Sequence, residues 1–166
     1  MRSPSMLDDY GFREAGENDI RSLERFRLKL QSHVQAANSD AWKLSDKGRK
    51  GLQQTYAQSL VGDETKILVA TCGTSGKIVA MAVGKIQHHE QFDPPSSGQI
   101  SEVWVEPSHR KRGLCRLLVE QLFHFFRHQG VSAITLVYMH GNSQAAATWS
   151  QLGFRQVFIG ATTDVF

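Results

Sequence analysis

Glu102-Val103-Trp104-Val105-Glu106-Pro107-Ser108-His109-Arg110-Lys111-Arg112-Gly113-Leu114-Cys115 reads as a strand, a turn and the opening of a helix. Valine and tryptophan build the strand from Ile100 to Val105, and Pro107 stops it. Leu114, Leu117, Leu118, Leu122 and Phe125 then recur at helical spacing until Gly130 ends the run. A helix start leaves about four backbone N–H groups unpaired and carries roughly half a positive charge. At Gly113 no side chain holds an anion away from those amides, and Arg110, Lys111, Arg112 and Arg116 surround them with cationic charge. The stretch is therefore either a phosphate-binding turn or a basic helix start on a solvated surface. It is not a nucleotide P-loop, which needs Gly-x-x-x-x-Gly-Lys-Ser/Thr, and the three spaced glycines of a dinucleotide fingerprint are also missing.

Working outward, Phe12 to Ala15 reads as a short strand and residues 16–19 as a turn that can cap a helix. Ile20, Leu23, Phe26, Leu30 and Val34 mark an amphipathic first helix, and Ser45 or Asp46 can cap a second that carries Leu52, Tyr56 and Leu60. Ile67–Thr71 and Ile78–Ile86 are strands joined by Gly73-Thr74-Ser75-Gly76, which makes a hairpin. His88 to Gly98, with Pro94-Pro95 and Ser96-Ser97-Gly98, reads as an exposed loop. Beyond the basic turn, Ala133–Tyr138 is a strand, Ser143–Leu152 a helix and Phe154–Ile159 another strand, with a last edge strand at Asp164–Phe166. The order is β-α-α-β-β-β-α-β-α-β, an α/β arrangement of one mixed sheet covered by helices, expected to form a single domain over residues 1–166.

Composition sets bounds. The 19 Lys and Arg against 16 Asp and Glu give a net charge of +3, and the only dense basic cluster is the turn itself, so no nucleic-acid partner is expected. Cys72 and Cys115 show neither a pairing pattern nor metal-ligand spacing. The first residues are followed by no apolar stretch, and no run reaches the roughly 18 apolar residues that span a bilayer. The expectation is a cytoplasmic protein with free thiols, no membrane partner and no metal.

The quoted stretch resembles the acetyl-CoA signature of the GNAT superfamily of N-acetyltransferases, Val-x-Pro followed by Arg/Gln-x-x-Gly-x-Gly/Ala. Val105-Glu106-Pro107 and Arg110-Lys111-Arg112-Gly113-Leu114-Cys115 occupy those positions, with Cys115 where the family has Gly or Ala. A second match follows: Asn142-Ser143-Gln144-Ala145 and Trp149-Ser150-Gln151-Leu152-Gly153-Phe154 are similar to Asn-x-x-Ala and Tyr-x-x-Leu-Gly-Phe. The resemblance implies a mostly antiparallel twisted sheet whose central strands splay, with helices on both faces. It implies acetyl-CoA as co-substrate, its pantetheine held by the backbone of Val103, Trp104 and Val105. The pyrophosphate would meet the amides of Arg110, Lys111, Arg112, Gly113, Leu114 and Cys115. Asn142 and Trp149 would approach the cofactor from the other side, and the Val103 N–H would polarise the thioester carbonyl. Members are often dimers, so a homodimer is a possible assembly.

The implied reaction is direct attack by an amine on the thioester in a ternary complex. An alkylammonium with pKa near ~10 must first lose a proton, and the departing CoA thiolate must gain one or be stabilised. Glu102 is the candidate base; it also reads as an anchor for the cationic amine or as a structural carboxylate, and the three roles stay open. His88, His89 and Glu90 are further candidates, acting through a water. Trp149 stands where the family has a tyrosine acid, and an indole is no substitute for a phenol as proton donor. Tyr138 is a candidate replacement, or a core aromatic. The acceptor is expected to be a small molecule, walled in by residues 33–50, with Trp42, and by the 88–98 loop. A protein N-terminal or lysine acetyltransferase is the first alternative; a non-catalytic acyl-CoA-binding regulatory module is the second.

Overall fold

In the computed structural model, residues 7–163 are described. Strand β1 (Tyr10–Glu14) leads through a short 3-10 turn into helix α1 (Ile20–Ala37). The turn is built by Asp19, which accepts the Gly16 N–H at 2.8 Å and two bonds from the Arg13 guanidinium at 2.6 and 3.0 Å. The hydrogen bond from Arg13 holds the buried Asp19 carboxyl below the ordinary carboxylate range, against the opposing effect of burial. The expected second helix is two, α2 (Asp46–Lys50), capped by the Ser45 hydroxyl, and α3 (Leu52–Ser59). They are followed by β2 (Thr65–Cys72), β3 (Ile78–His88), β4 (Ser96–Val105), α4 (Leu114–His128), β5 (Ile134–Leu136) and α5 (Ser143–Gln151).

The strands form one sheet in the order β1-β2-β3-β4-β5, antiparallel except for β4–β5. Strands β2 and β3 are apolar runs without polar alternation because both sides are covered. Leu68, Ala70, Ala80 and Ala82 face α4, whose Leu114, Leu118, Leu122 and Phe126 lie at four-residue intervals on its buried side. Ile67, Val69, Met81 and Val83 face α1 and α3, where they meet Leu23, Phe26 and Tyr56. Phe126 is fully buried, and its removal from water contributes about 2–3 kcal/mol. No helix among the described residues is long and apolar enough to cross a membrane.

Three further expectations differ from the structure. Strand β4 begins at Ser96, so Ser96-Ser97-Gly98 is sheet, not loop. The small residues there reflect packing: a Cβ on Gly98 would lie 2.8 Å from the Phe126 ring, which rests on the bare backbone. Strand β5 is three residues long, against six expected, because the chain leaves the sheet after Leu136 and exposes Val137. No strand forms over 154–159. Phe154 packs on Trp149 and Phe123, but Val157, Phe158 and Ile159 are exposed and have no ladder partner among the described residues. β-Propensity without a partner edge does not make a strand. The expected strand at 164–166 lies outside the described residues.

Candidate active site

Strand β5 pairs with β4 only at Gly98, Gln99 and Ile100. From Ser101 to Val105 the β5-side edge of β4 therefore has no strand against it among the described residues. The result is a wedge that opens toward the basic turn. Across the other edge, the Glu106 N–H bonds to the Val79 carbonyl, in register with Met81↔Trp104 and Ala82↔Val103. In an antiparallel ladder, hydrogen-bonding groups alternate between neighbours. The Trp104 backbone thus points to β3, whereas the Val103 and Val105 amides point into the wedge. The Val105 carbonyl is taken by Arg110 Nε at 2.9 Å.

A bulge decides which side chains face which way. The register passes from Val83↔Glu102 to Gly84↔Ile100 and leaves Ser101 as the extra residue. Gly98 and Ile100 face α4; after the bulge Val103 and Val105 hold that side, and Glu102 and Trp104 turn to the α1/α3 side. Without the extra residue, strict alternation would drive the Glu102 carboxylate into the apolar layer under α4. Instead its Oε2 accepts a 2.5 Å bond from the Tyr56 hydroxyl, and its Oε1 lies 3.7 Å from Arg27 Nε. Burial, then the Glu102 charge and the hydrogen bond to it, push the Tyr56 phenol well above its ordinary value, so Tyr56 is the donor. Sequence reading missed Tyr56 and Arg27 because only the fold brings them to Glu102.

Next along this face, the Trp104 indole stacks under the Arg110 guanidinium at 4.9 Å and donates to Glu106 at 3.4 Å. Lys29 Nζ bonds to Glu106 at 2.5 Å. Burial acts to raise the Glu106 carboxyl, but bonds from Lys29 and Trp104 outweigh it and hold the group below its ordinary value.

The turn has a strained form that brings amides to its open side. Lys111 has φ 59° and Gly113 φ 87°, and the Gly113 carbonyl accepts the Leu117 N–H. Among the described residues, the amides of Lys111 to Arg116 have no protein acceptor. The flanking arginines are not all free to meet an anion. Arg110 is folded back on Val105 and Trp104, and Arg112 donates to the Tyr10 hydroxyl at 3.2 Å and to the Ser108 carbonyl at 3.3 Å. The exposed Lys111 and Arg116 have no ion-pair partner among the described residues and are left to supply the charge. Cys115 is half-buried and packed against the α4-side core, and burial pushes its thiol up to about 11, away from the thiolate form that a nucleophile needs.

The remaining candidates are spread out. Asn142 is buried and caps α5, its Oδ1 accepting the Ala145 N–H at 3.0 Å. Trp149 packs edge-on against Phe154, with ring centroids 5.6 Å apart. Tyr138 is half-buried, and its hydroxyl accepts from Gln156 at 2.9 Å. His88 is paired with Glu64 at 2.7 Å, five residues along β3 from Glu102's partner Val83, a separation of about 17 Å. That distance removes the His88–Glu90 group from the surroundings of Glu102. At the mouth of the wedge, α1 reaches across to the segment before α5: Asn38 Nδ2 donates to the His140 carbonyl at 3.0 Å. The buried Gln31 ties down the 38–45 segment by donating to the Trp42 carbonyl at 2.7 Å, and accepts from Arg27 at 3.1 Å.

Known proteins are similar to this chain in sequence and in fold. Mycothiol acetyltransferase of Rhodococcus opacus is 35% identical over 69 residues, 42% of this chain and 23% of that protein. The chain thus matches about a quarter of the length of that relative. The [ribosomal protein bS18]-alanine N-acetyltransferase of Escherichia coli is 25% identical over 143 residues, covering 86% of this chain and 84% of that one. The crystal structure of a predicted acetyltransferase from Clostridium acetobutylicum with acetyl-CoA superposes with a TM-score of 0.73 at 17% identity, over 93% of this chain and 96% of that chain. The model of the acetyltransferase (GNAT) family matches residues 33–154, most of the strands and both elements that flank the wedge, and the chain belongs to that family.

Proposed function

We propose that this protein is an acetyl-CoA-dependent N-acetyltransferase acting on the primary amine of a small molecule. The observation that carries the reading is the open edge of β4, which leads through the 3-10 turn Pro107–His109 to amides that have no acceptor among the described residues from Lys111 onward. An extended pantetheine can pair with the Val103 backbone and the Val105 N–H where a longer β5 would have paired, and place its pyrophosphate on the amides from Lys111 to Cys115. Lys111 and Arg116 add charge there. In this pose the thioester carbonyl lies at the Val103 N–H, which stabilises the oxyanion. The amine enters from the α1/α3 side, where Glu102 takes its proton or holds its charge. The nitrogen bonds to the carbonyl carbon, the C–S bond breaks, and CoA leaves as the thiolate. Trp149, on Phe154, has no acidic proton to give it, so the proton comes from solvent.

Two features support a small acceptor: the Asn38–His140 bond joins the end of α1 to the chain that follows β5, and the Gln31–Trp42 bond ties the 38–45 segment to α1, although the Trp42 side chain itself is exposed and walls in nothing. A second reading, acetylation of a protein N-terminus, is favoured by the extent of the match to the bS18-alanine acetyltransferase. The test is release of free CoA, read with a thiol reagent, across a panel of a cysteinyl amine, an aminoglycoside, spermidine and a peptide with N-terminal alanine. Release with one of the first three, and an acetylated product by mass, is the expected result. Release with the peptide alone would establish the second reading. Tight acetyl-CoA binding without release for any amine would replace both with a non-catalytic acyl-CoA-binding role.

A further inference from the structure

We propose that Tyr56 is a positioning residue for the transfer reaction, holding the Glu102 carboxylate at the acceptor side of β4 with Arg27 as its second support. The inference rests on the assignment of Glu102 to the amine. Tyr56 lies on α3, is 4% exposed, and is surrounded by the apolar layer of Leu23, Phe26, Ile67 and Val83. Phenylalanine would fill that volume equally well. A buried hydroxyl without a partner is costly, and here its partner is Glu102 Oε2 at 2.5 Å.

The two carboxylate oxygens are treated differently. Oε2 is fixed by Tyr56, and Oε1 faces Arg27 at 3.7 Å, an ion-pair distance too long for a hydrogen bond. Oε1 thus keeps the capacity to accept a proton or a bond from an amine. A glutamate on a sheet surface otherwise samples several rotamers; fixing one oxygen from an adjacent helix aims the other. Arg27 is itself braced by Gln31, which also holds the Trp42 carbonyl. The charged groups around the pair are Arg27 and Glu24 on α1, and both reach it through side chains of one helix.

The test is a double-mutant cycle between Tyr56→Phe and Glu102→Gln, with the fastest amine of the panel as acceptor. Circular dichroism and acetyl-CoA titration count the folded, cofactor-competent enzyme in each variant. Glu102→Gln should lower kcat about a hundredfold, the usual contribution of a general base. Tyr56→Phe should lower kcat about tenfold, leave KM for acetyl-CoA unchanged, and have no further effect in the Glu102→Gln background. A tenfold loss in both backgrounds would make Tyr56 a structural residue and overturn the proposal. Normal kcat for Tyr56→Phe beside an impaired Glu102→Gln would overturn the role of Tyr56 alone. Normal kinetics for Glu102→Gln would remove Glu102 from the reaction, and the role of Tyr56 with it. Arg27→Gln gives an independent arm in case Tyr56→Phe folds poorly: a loss of about threefold, again only with Glu102 present. Proton NMR checks the contact without any acceptor: a downfield hydroxyl resonance in the parent protein that both single variants abolish supports the clamp, and its absence from the parent overturns it.

Discussion

Gly113→Ala separates what the turn does for the fold from what it does for the cofactor. At φ 87° an alanine is strained by about 1–2 kcal/mol, whereas its Cβ would meet only Leu7 carbons, 3.6 Å and further away. The cost is thus conformational and not steric. It has two possible destinations. If the turn keeps its form, the strain appears in folding, and Tm falls by about 2–4 °C per kcal/mol for a chain of this size. If the turn relaxes in the free protein, Tm is spared, but acetyl-CoA must restore the strained form, and Kd weakens about 5- to 30-fold. Either way, the loss in stability plus the loss in binding free energy should sum to about 1–2 kcal/mol. Thermal melts and calorimetric titration with acetyl-CoA measure the two parts. Gly130→Ala is the control: it has φ 72° at the far end of α4, with no atom within 4 Å of an added Cβ, and should lower Tm with no change in Kd. A sum near zero for Gly113→Ala, or an equal effect of Gly130→Ala on Kd, would refute the reasoning.

Asp19→Asn should cost about 1–2 kcal/mol at pH 7, because solvent at the half-exposed Arg13 screens the pair. The folded-state pKa of Asp19 is depressed, so the parent's advantage is present above the unfolded pKa near ~4 and is lost as pH falls through the folded value; melts from pH 7 to 2 should converge, and a constant gap would contradict the pairing. Cys72, whose thiol is lowered mainly by the Ser75 side-chain hydrogen bond, should react with a thiol reagent at pH 8 well before Cys115, whose thiol is pushed up to about 11; two equal rates would oppose this. Gly98→Ala should cost about 1–3 kcal/mol by driving a methyl into the Phe126 ring, with partial relief by Phe126→Leu in the double variant; strictly additive losses would mean the ring does not sit there.

How far the sequence could be read depended on how local each signal was. The strand, turn and helix around Gly113 carry their information in consecutive residues, and the structure places them as expected. Helices α1 and α4 were legible from apolar spacing alone. Ser96-Ser97-Gly98 was misread because turn chemistry and close packing against an aromatic ring call for the same small residues. The Ser101 bulge has no signature of its own, yet it decides that Glu102 leaves the α4 core and meets Tyr56. The turn's arginines were read as equal donors of charge, but Arg110 and Arg112 hold the turn together through bonds to Val105, Ser108 and Tyr10. Val157-Phe158-Ile159 has the composition of a strand; what it lacks among the described residues is a neighbouring edge, which composition does not report.

The wedge beside β4 and its amide turn are proposed as the acetyl-CoA site. Thermal denaturation with acetyl-CoA at a hundredfold excess over Kd tests it most directly. A ligand that binds only the folded state adds about 2.7 kcal/mol at that ratio, so the midpoint should rise by about 5–10 °C. A midpoint unchanged by millimolar acetyl-CoA would contradict the claim.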